Sequence, residues 1–171
     1  MIPEFLIART AVDEGRIGRG DGDAERVMCE AKDKKMATIL RQMIDILDRA
    51  IELVDNTCTY LEAFHKILDA NTQTTRETDE LEACADKILQ NGKDFMDVYL
   101  QASGLHRSLS NKNASLGGQE ANHVHFIFQT IASYLLLFNV SAKDIYAHTL
   151  TVEMMDSRPL RSVKNMALKC L

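Results

Sequence analysis

Glu62 and His65 stand three apart in the stretch LEAFH, and Glu120 and His123 repeat that spacing in QEANH. On a helix, residues three apart are neighbours on one face. Two Glu-x-x-His pairs, joined by a glutamate from each of two further helices, hold a pair of metal ions in the core of ferritin-like bundles. The chemistry in question is therefore a di-iron or di-manganese carboxylate centre. It requires all these side chains to project inward, so the helices decide whether the site exists.

The helix that carries the first pair has a readable phase. Met36, Leu40, Met43, Leu47, Ala50, Val54, Thr57, Leu61, Phe64 and Leu68 alternate by four and three without a slip. That is a heptad seam, with Leu40 at position a and Met43 at d. Ile39, Ile46, Leu53, Tyr60 and Ile67 fill g, Ile44, Ile51, Cys58 and His65 fill e, and polar residues take b, c and f. So broad a stripe predicts a helix over 24–70 buried among several neighbours. Asp23 is its expected N-cap, and the weak helix formers of DNTCT (55–59) mark where it would break. Glu62 falls at b, on the polar back, and His65 at e, on the flank. Glu120 falls on the extrapolated seam of its own helix, but in a first turn, where the helix dipole alone favours a carboxylate. A di-metal oxidase or metal-storage bundle using Glu62, His65, Glu120 and His123 is accordingly the second choice.

The remaining elements follow from the same periodicity. Thr74 and Glu77 fit a capping box, and Leu81, Ala85, Ile88, Gly92, Phe95, Tyr99 and Ala102 continue the alternation in a second long helix, antiparallel to the first. The phase is unchanged across Asn91-Gly92, which predicts that Gly92 lets another backbone approach. Residues 104–118, GLHRSLSNKNASLGG, read as the longest connection. Residues 119–139, apolar on most sides, are the expected central helix. Ser141 and Asp144 cap a helix over 142–156, and Ser157 and Pro159 begin the last one, with Leu160, Val163, Ala167 and Cys170 on one face. Before all of these, Ile2, Phe5, Leu6 and Val12 suggest a short helix over 2–12, and GRIGRGDGD (15–23) a linker. The expectation is an all-α bundle of five or six helices on a long antiparallel hairpin. Residues 1–23 form the N-terminal helix and linker, 24–156 the core, and 157–171 a basic amphipathic helix of the same domain.

Composition limits the function. A chain of 171 residues fits one domain with a self-sufficient core. Only 8 glycines and 2 prolines argue against a sandwich or barrel. A net charge of -5 makes nucleic acid a poor partner. Cys29, Cys58, Cys84 and Cys170 are widely spaced and read as small, reduced core residues. The N-terminus lacks the basic segment of a signal peptide, and the apolar run 123–140 is interrupted by Gln129, Thr130 and Ser133. An intracellular, cytoplasmic protein is expected.

No Gly-x-Ser-x-Gly elbow, phosphate loop or dinucleotide fingerprint occurs, so neither a catalytic residue nor a cofactor is expected. His106, beside Arg107 and Ser108, reads as a solvated loop residue. Asp21-Gly22-Asp23 begins like a calcium loop, but Arg26 and Lys32 stand where glycine and glutamate are needed. Arg19-Gly20-Asp21 spells the integrin tripeptide, which leaves a secreted ligand as a third choice and requires an exported protein. The sequons at Asn113 and Asn139 carry the same requirement.

What remains is surface. Glu77, Asp79, Glu80, Glu82, Asp86, Asp94 and Asp97 crowd the second long helix, whereas Arg158, Arg161, Lys164 and Lys169 give the last helix a basic face without an acid. Either this tail docks on its acidic neighbour, or it binds a partner helix or an anionic membrane surface. The favoured expectation is a non-enzymatic interaction module, an adaptor, regulator or effector that presents helix faces to a protein partner or to a second copy of itself. Arg158, Arg161, Lys164 and Lys169 are its candidate contacts.

Overall fold

A computed structural model describes residues 19–70, 74–113 and 119–171, with side chains for 34–70, 74–109 and 121–171. The short helix expected over 2–12 and Cys29 lie outside these limits. Every regular element described is helical: α1 Arg19–Leu68, α2 Thr75–Asn113, α3 Gln119–Ala132, α4 Leu135–Phe138, α5 Ala142–Tyr146, a 3-10 turn Val152–Met154, and α6 Arg158–Leu168. The architecture is an all-α bundle, in which α1 and α2 pair as a hairpin and α3 and α6 pack against it.

The heptad holds along α1. Leu40, Met43, Leu47, Ala50, Val54, Leu61 and Phe64 are fully buried, and Ile39, Ile44, Ile51 and Leu53 are buried beside them. The helix does not break at 55–59, since Val54, Thr57 and Leu61 are fully buried in the seam, and the hydroxyls of Thr57 and Thr59 donate to the carbonyls of Leu53 and Asp55 at 2.7 and 3.2 Å. Such back-bonding within the helix keeps a weak helix former satisfied. At the other end α1 begins at Arg19, so Asp23 lies inside it and 19–23 are helical rather than linker. Once nucleated, a helix gains one hydrogen bond for each residue fixed, enough here to override the two glycines.

The Thr74–Glu77 capping box opens α2: Thr74 N–H donates to Glu77 Oε2 at 3.3 Å, and Glu77 N–H to Thr74 Oγ1 at 3.2 Å. Leu81, Ala85, Ile88, Phe95, Val98 and Ala102 are buried along it. Contrary to the long connection read over 104–118, α2 continues through Gly104 to Asn113. Buried Leu109 anchors these extra turns. A β-carbon at Gly92 would lie 2.8 Å from the Phe138 carbonyl oxygen, which is the backbone approach expected there. Phe138 stacks on Phe95 beside it, ring centroids 4.4 Å apart.

The helix read over 119–139 is interrupted. After Ala132 the Ser133 hydroxyl donates to the Thr130 carbonyl at 2.6 Å, and α4 starts afresh at Leu135. Tyr134, at this joint, is buried and donates its hydroxyl to the Asp156 carbonyl, which ties the joint to the segment leading into α6. Nor is the region apolar inward on all sides, since Phe126 is 51% and Leu136 83% exposed.

The helix expected over 142–156 stops at Tyr146. Its start is as read: Ser141 N–H donates to Asp144 Oδ2 at 2.8 Å and Asp144 N–H returns to Ser141 Oγ at 3.3 Å. Donation to that carboxylate by the Ser141 N–H, and then by the Ser141 hydroxyl at 3.0 Å, holds the Asp144 carboxyl below its ordinary range. Its end is a Schellman arrangement, with His148 N–H donating to Ile145 O at 3.3 Å and Thr149 N–H to Asp144 O at 3.1 Å. His148 occupies the left-handed position, φ 59°, where glycine is the usual residue. With no glycine to signal it, the stop was hidden in the sequence.

Candidate functional site

Four residues were candidates for metal chemistry. Glu62 is exposed, and Cys58 Sγ donates weakly to its Oε1 at 3.9 Å. His65 is half-buried against Phe64, and its ring meets His148, centroids 4.5 Å apart. His123 is half-buried on α3, and the Glu120 side chain lies outside the described residues. Among the described residues no group of three or more His, Cys, Asp or Glu side chains is arranged to hold a metal ion. The spacing that suggested a ligand set instead placed His65 at the edge of a packed stripe.

The basic helix docks, but not where the charge pattern pointed. Leu160, Val163 and Ala167 of α6 are buried, and the helix packs on α1 and α3. Arg161 pairs with Asp55, and Lys164 with Asp48 at 2.5 Å. Numbers rise along α6 as they fall along α1, so the two helices run in opposite directions. Asp48 and Asp55 are successive b positions of the heptad, and Glu62 is the next residue in that row. The bridges thus run to α1 rather than to the acidic helix α2. Arg158 forks onto Asp156, its Nε and Nη2 at 2.9 and 2.7 Å from the carboxylate, which keeps the Asp156 carboxyl below its usual range. Lys169 is exposed.

Two histidine pairs, which sequence reasoning missed, link elements far apart in the chain. His65 and His148 are one. His106 Nε2 lies 2.8 Å from His125 Nδ1 in the other, and the His106 ring stacks on Phe128 at 4.5 Å. His106 is thus part of α2 and held by α3, not solvated in a loop. Burial, and then the neighbouring histidine, lower the proton affinity of His65 and of His106.

Cys58, Cys84 and Cys170 are free and half-buried, and desolvation raises the thiols of Cys58 and Cys84, the opposite of what a nucleophilic thiolate needs. The Tyr134 hydroxyl is pushed up to about 12 by burial and by the Asp156 charge. Arg19-Gly20-Asp21 lies in the first turn of α1.

Two grooves carry part of the exposed apolar surface. Phe126, Thr130 and Ser133 face Pro159, Val163 and Met166 across an open groove between α3 and α6. Phe126 is 51% and Met166 46% exposed. A second groove lies between Leu89, Gly92 and Met96 of α2 and the segment Leu135–Val140. Among the described residues no helix is long and apolar enough to cross a membrane.

Comparison of the chain with protein-family profiles, curated proteins and solved structures found no match.

Proposed function

We propose that the chain is a non-enzymatic helical interaction module, whose α3–α6 groove receives an apolar helix face of a protein partner. The observation that carries this reading is the pair Phe126 and Met166, two large side chains half-exposed on opposite walls of one groove. Large apolar side chains grouped in a groove with hydroxyl and amide neighbours are the usual form of a helix-binding surface. Gln129, Thr130 and Ser162 supply those neighbours here. The reading moves the contact away from Arg161 and Lys164, which are engaged within the bundle.

The test is differential capture. Immobilised wild-type chain is compared with the double variant Phe126→Asp/Met166→Asp and with Leu136→Asp, which alters an exposed residue outside the groove. A protein retained by the wild type and by Leu136→Asp but released by the double variant is the expected result. Equal retention by all three, or an inert monomer, counts against the reading. Metal analysis of chain purified without chelator tests the rival: two iron or manganese ions per chain would replace this proposal with the oxidase.

A further inference from the structure

Four of the five histidines in the chain are engaged in two ring pairs. His65, in the last turn of α1, meets His148 of the turn after α5; His106, in the last third of α2, meets His125 of α3. Because α1 and α2 are antiparallel, the pairs lie toward opposite ends of the hairpin. We propose that both pairs are acid-released clasps, holding the segment 147–154 onto α1 and the C-terminal turns of α2 onto α3 only while at least one imidazole of each pair is neutral.

The proton count in the second pair is set by its geometry. At 2.8 Å one ring nitrogen donates and the other must accept with a bare lone pair. One added proton preserves that bond, and a second removes the acceptor and sets two cations ring to ring. Among the described residues no carboxylate acts on His106 to compensate. Arg107, the next residue, turns away to Ser103 at 3.3 Å.

In the first pair the constraint is burial. His65 Nε2 is buried with no hydrogen-bond partner, so a proton there would be a charged donor without an acceptor, which is costly in a protein interior. His148 Nε2 faces Asp69 Oδ1 at 3.7 Å, so the first proton has a place that leaves the clasp closed. The second must go to His65, beside a cation. Asp69, just after α1, and Glu153 of the 3-10 turn favour that proton, but burial and His148 outweigh them. His148 holds its ring there from a left-handed position that glycine would fill with less strain. The imidazole, not the backbone, is what that position needs from histidine.

The clasps are independent of what the groove binds. The test is imidazole titration by NMR and amide hydrogen exchange of the full chain between about pH 7 and about pH 5, the range in which free histidine titrates, corrected for the intrinsic pH dependence of exchange. The His65 and His106 imidazoles should titrate below free histidine. Segments 147–154 and 103–109 should lose protection several-fold more than the buried amides near Leu47 and Phe95. His148→Gly, which suits φ 59° and so retains the fold, should abolish the pH response of 147–154 only. His125→Gln, at an exposed position, should abolish that of 103–109 only. Titration of His65 and His106 at the free-histidine value, or responses that persist unchanged in both variants, would overturn the proposal.

Discussion

Asn91 of α2 donates its side-chain amide to Thr57 Oγ1 of α1 at 3.0 Å, in a seam that is otherwise apolar. Thr57 in turn donates to the Leu53 carbonyl at 2.7 Å, so the two buried groups satisfy each other and fix which turn of α2 faces which turn of α1. Thr57→Val removes the acceptor and strands the Asn91 amide, at a cost of about 1–3 kcal/mol in chemical denaturation. Asn91→Leu added to Thr57→Val should recover most of that loss. Simple additivity of the two losses would show that the pair is not a unit.

Gly92 is needed for space. Helix propensity alone favours alanine over glycine by about 1 kcal/mol, but an alanine β-carbon would meet the Phe138 carbonyl oxygen at 2.8 Å. Gly92→Ala should lower stability by about 1–3 kcal/mol and disturb the Phe95–Phe138 stack. A rise in midpoint would mean that α4 yields freely.

The last helix is held by its apolar face more than by its charges. Leu160 is fully buried, and Leu160→Ala should cost about 2–5 kcal/mol. The Lys164–Asp48 bridge is partly solvated, at 31% and 48% side-chain exposure, so Lys164→Gln should cost under about 1 kcal/mol. The reverse order in thermal denaturation would return the basic face to the centre of the account.

Stability should fall on mild acidification. The proton affinities of His65 and His106 are lowered in the folded chain, so the unfolded chain binds more protons as the pH drops. Their contribution is fully present above the ordinary histidine value of about 6.5 and is lost as the pH falls through their lowered native values. Urea midpoints taken across this range should decline in the wild type and decline less steeply in His148→Gly/His125→Gln, where burial still lowers both groups but the neighbouring histidine does not.

Much of the fold was legible because the heptad is a long-range signal that one residue cannot spoil. The seam from Met36 to Phe64, both capping boxes and the tolerance at Gly92 could be read directly. The stop after Tyr146 could not, because His148 fills a glycine position with no compositional mark. The docking of α6 was visible as a tendency but was assigned to the wrong acids. Asp48 and Asp55 are only two residues, but they recur at one heptad position, and that recurrence was the informative signal, not the crowding of acids on α2. The Glu-x-x-His spacing by itself carries no phase. Placed on the seam, Glu62 turns outward. The groove flanked by Phe126 and Met166 required the structure, since it is formed by helices that meet only in three dimensions.

The central claim is that the α3–α6 groove is where a protein partner binds. Its most direct measurement is site-specific photo-crosslinking in the native cell extract, with the photoreactive residue placed at position 126, at 166, or at exposed Glu52 on the polar back of α1. One and the same protein adduct is expected from 126 and 166, and none from 52. No adduct from the groove positions, or the same adduct from all three, would contradict it.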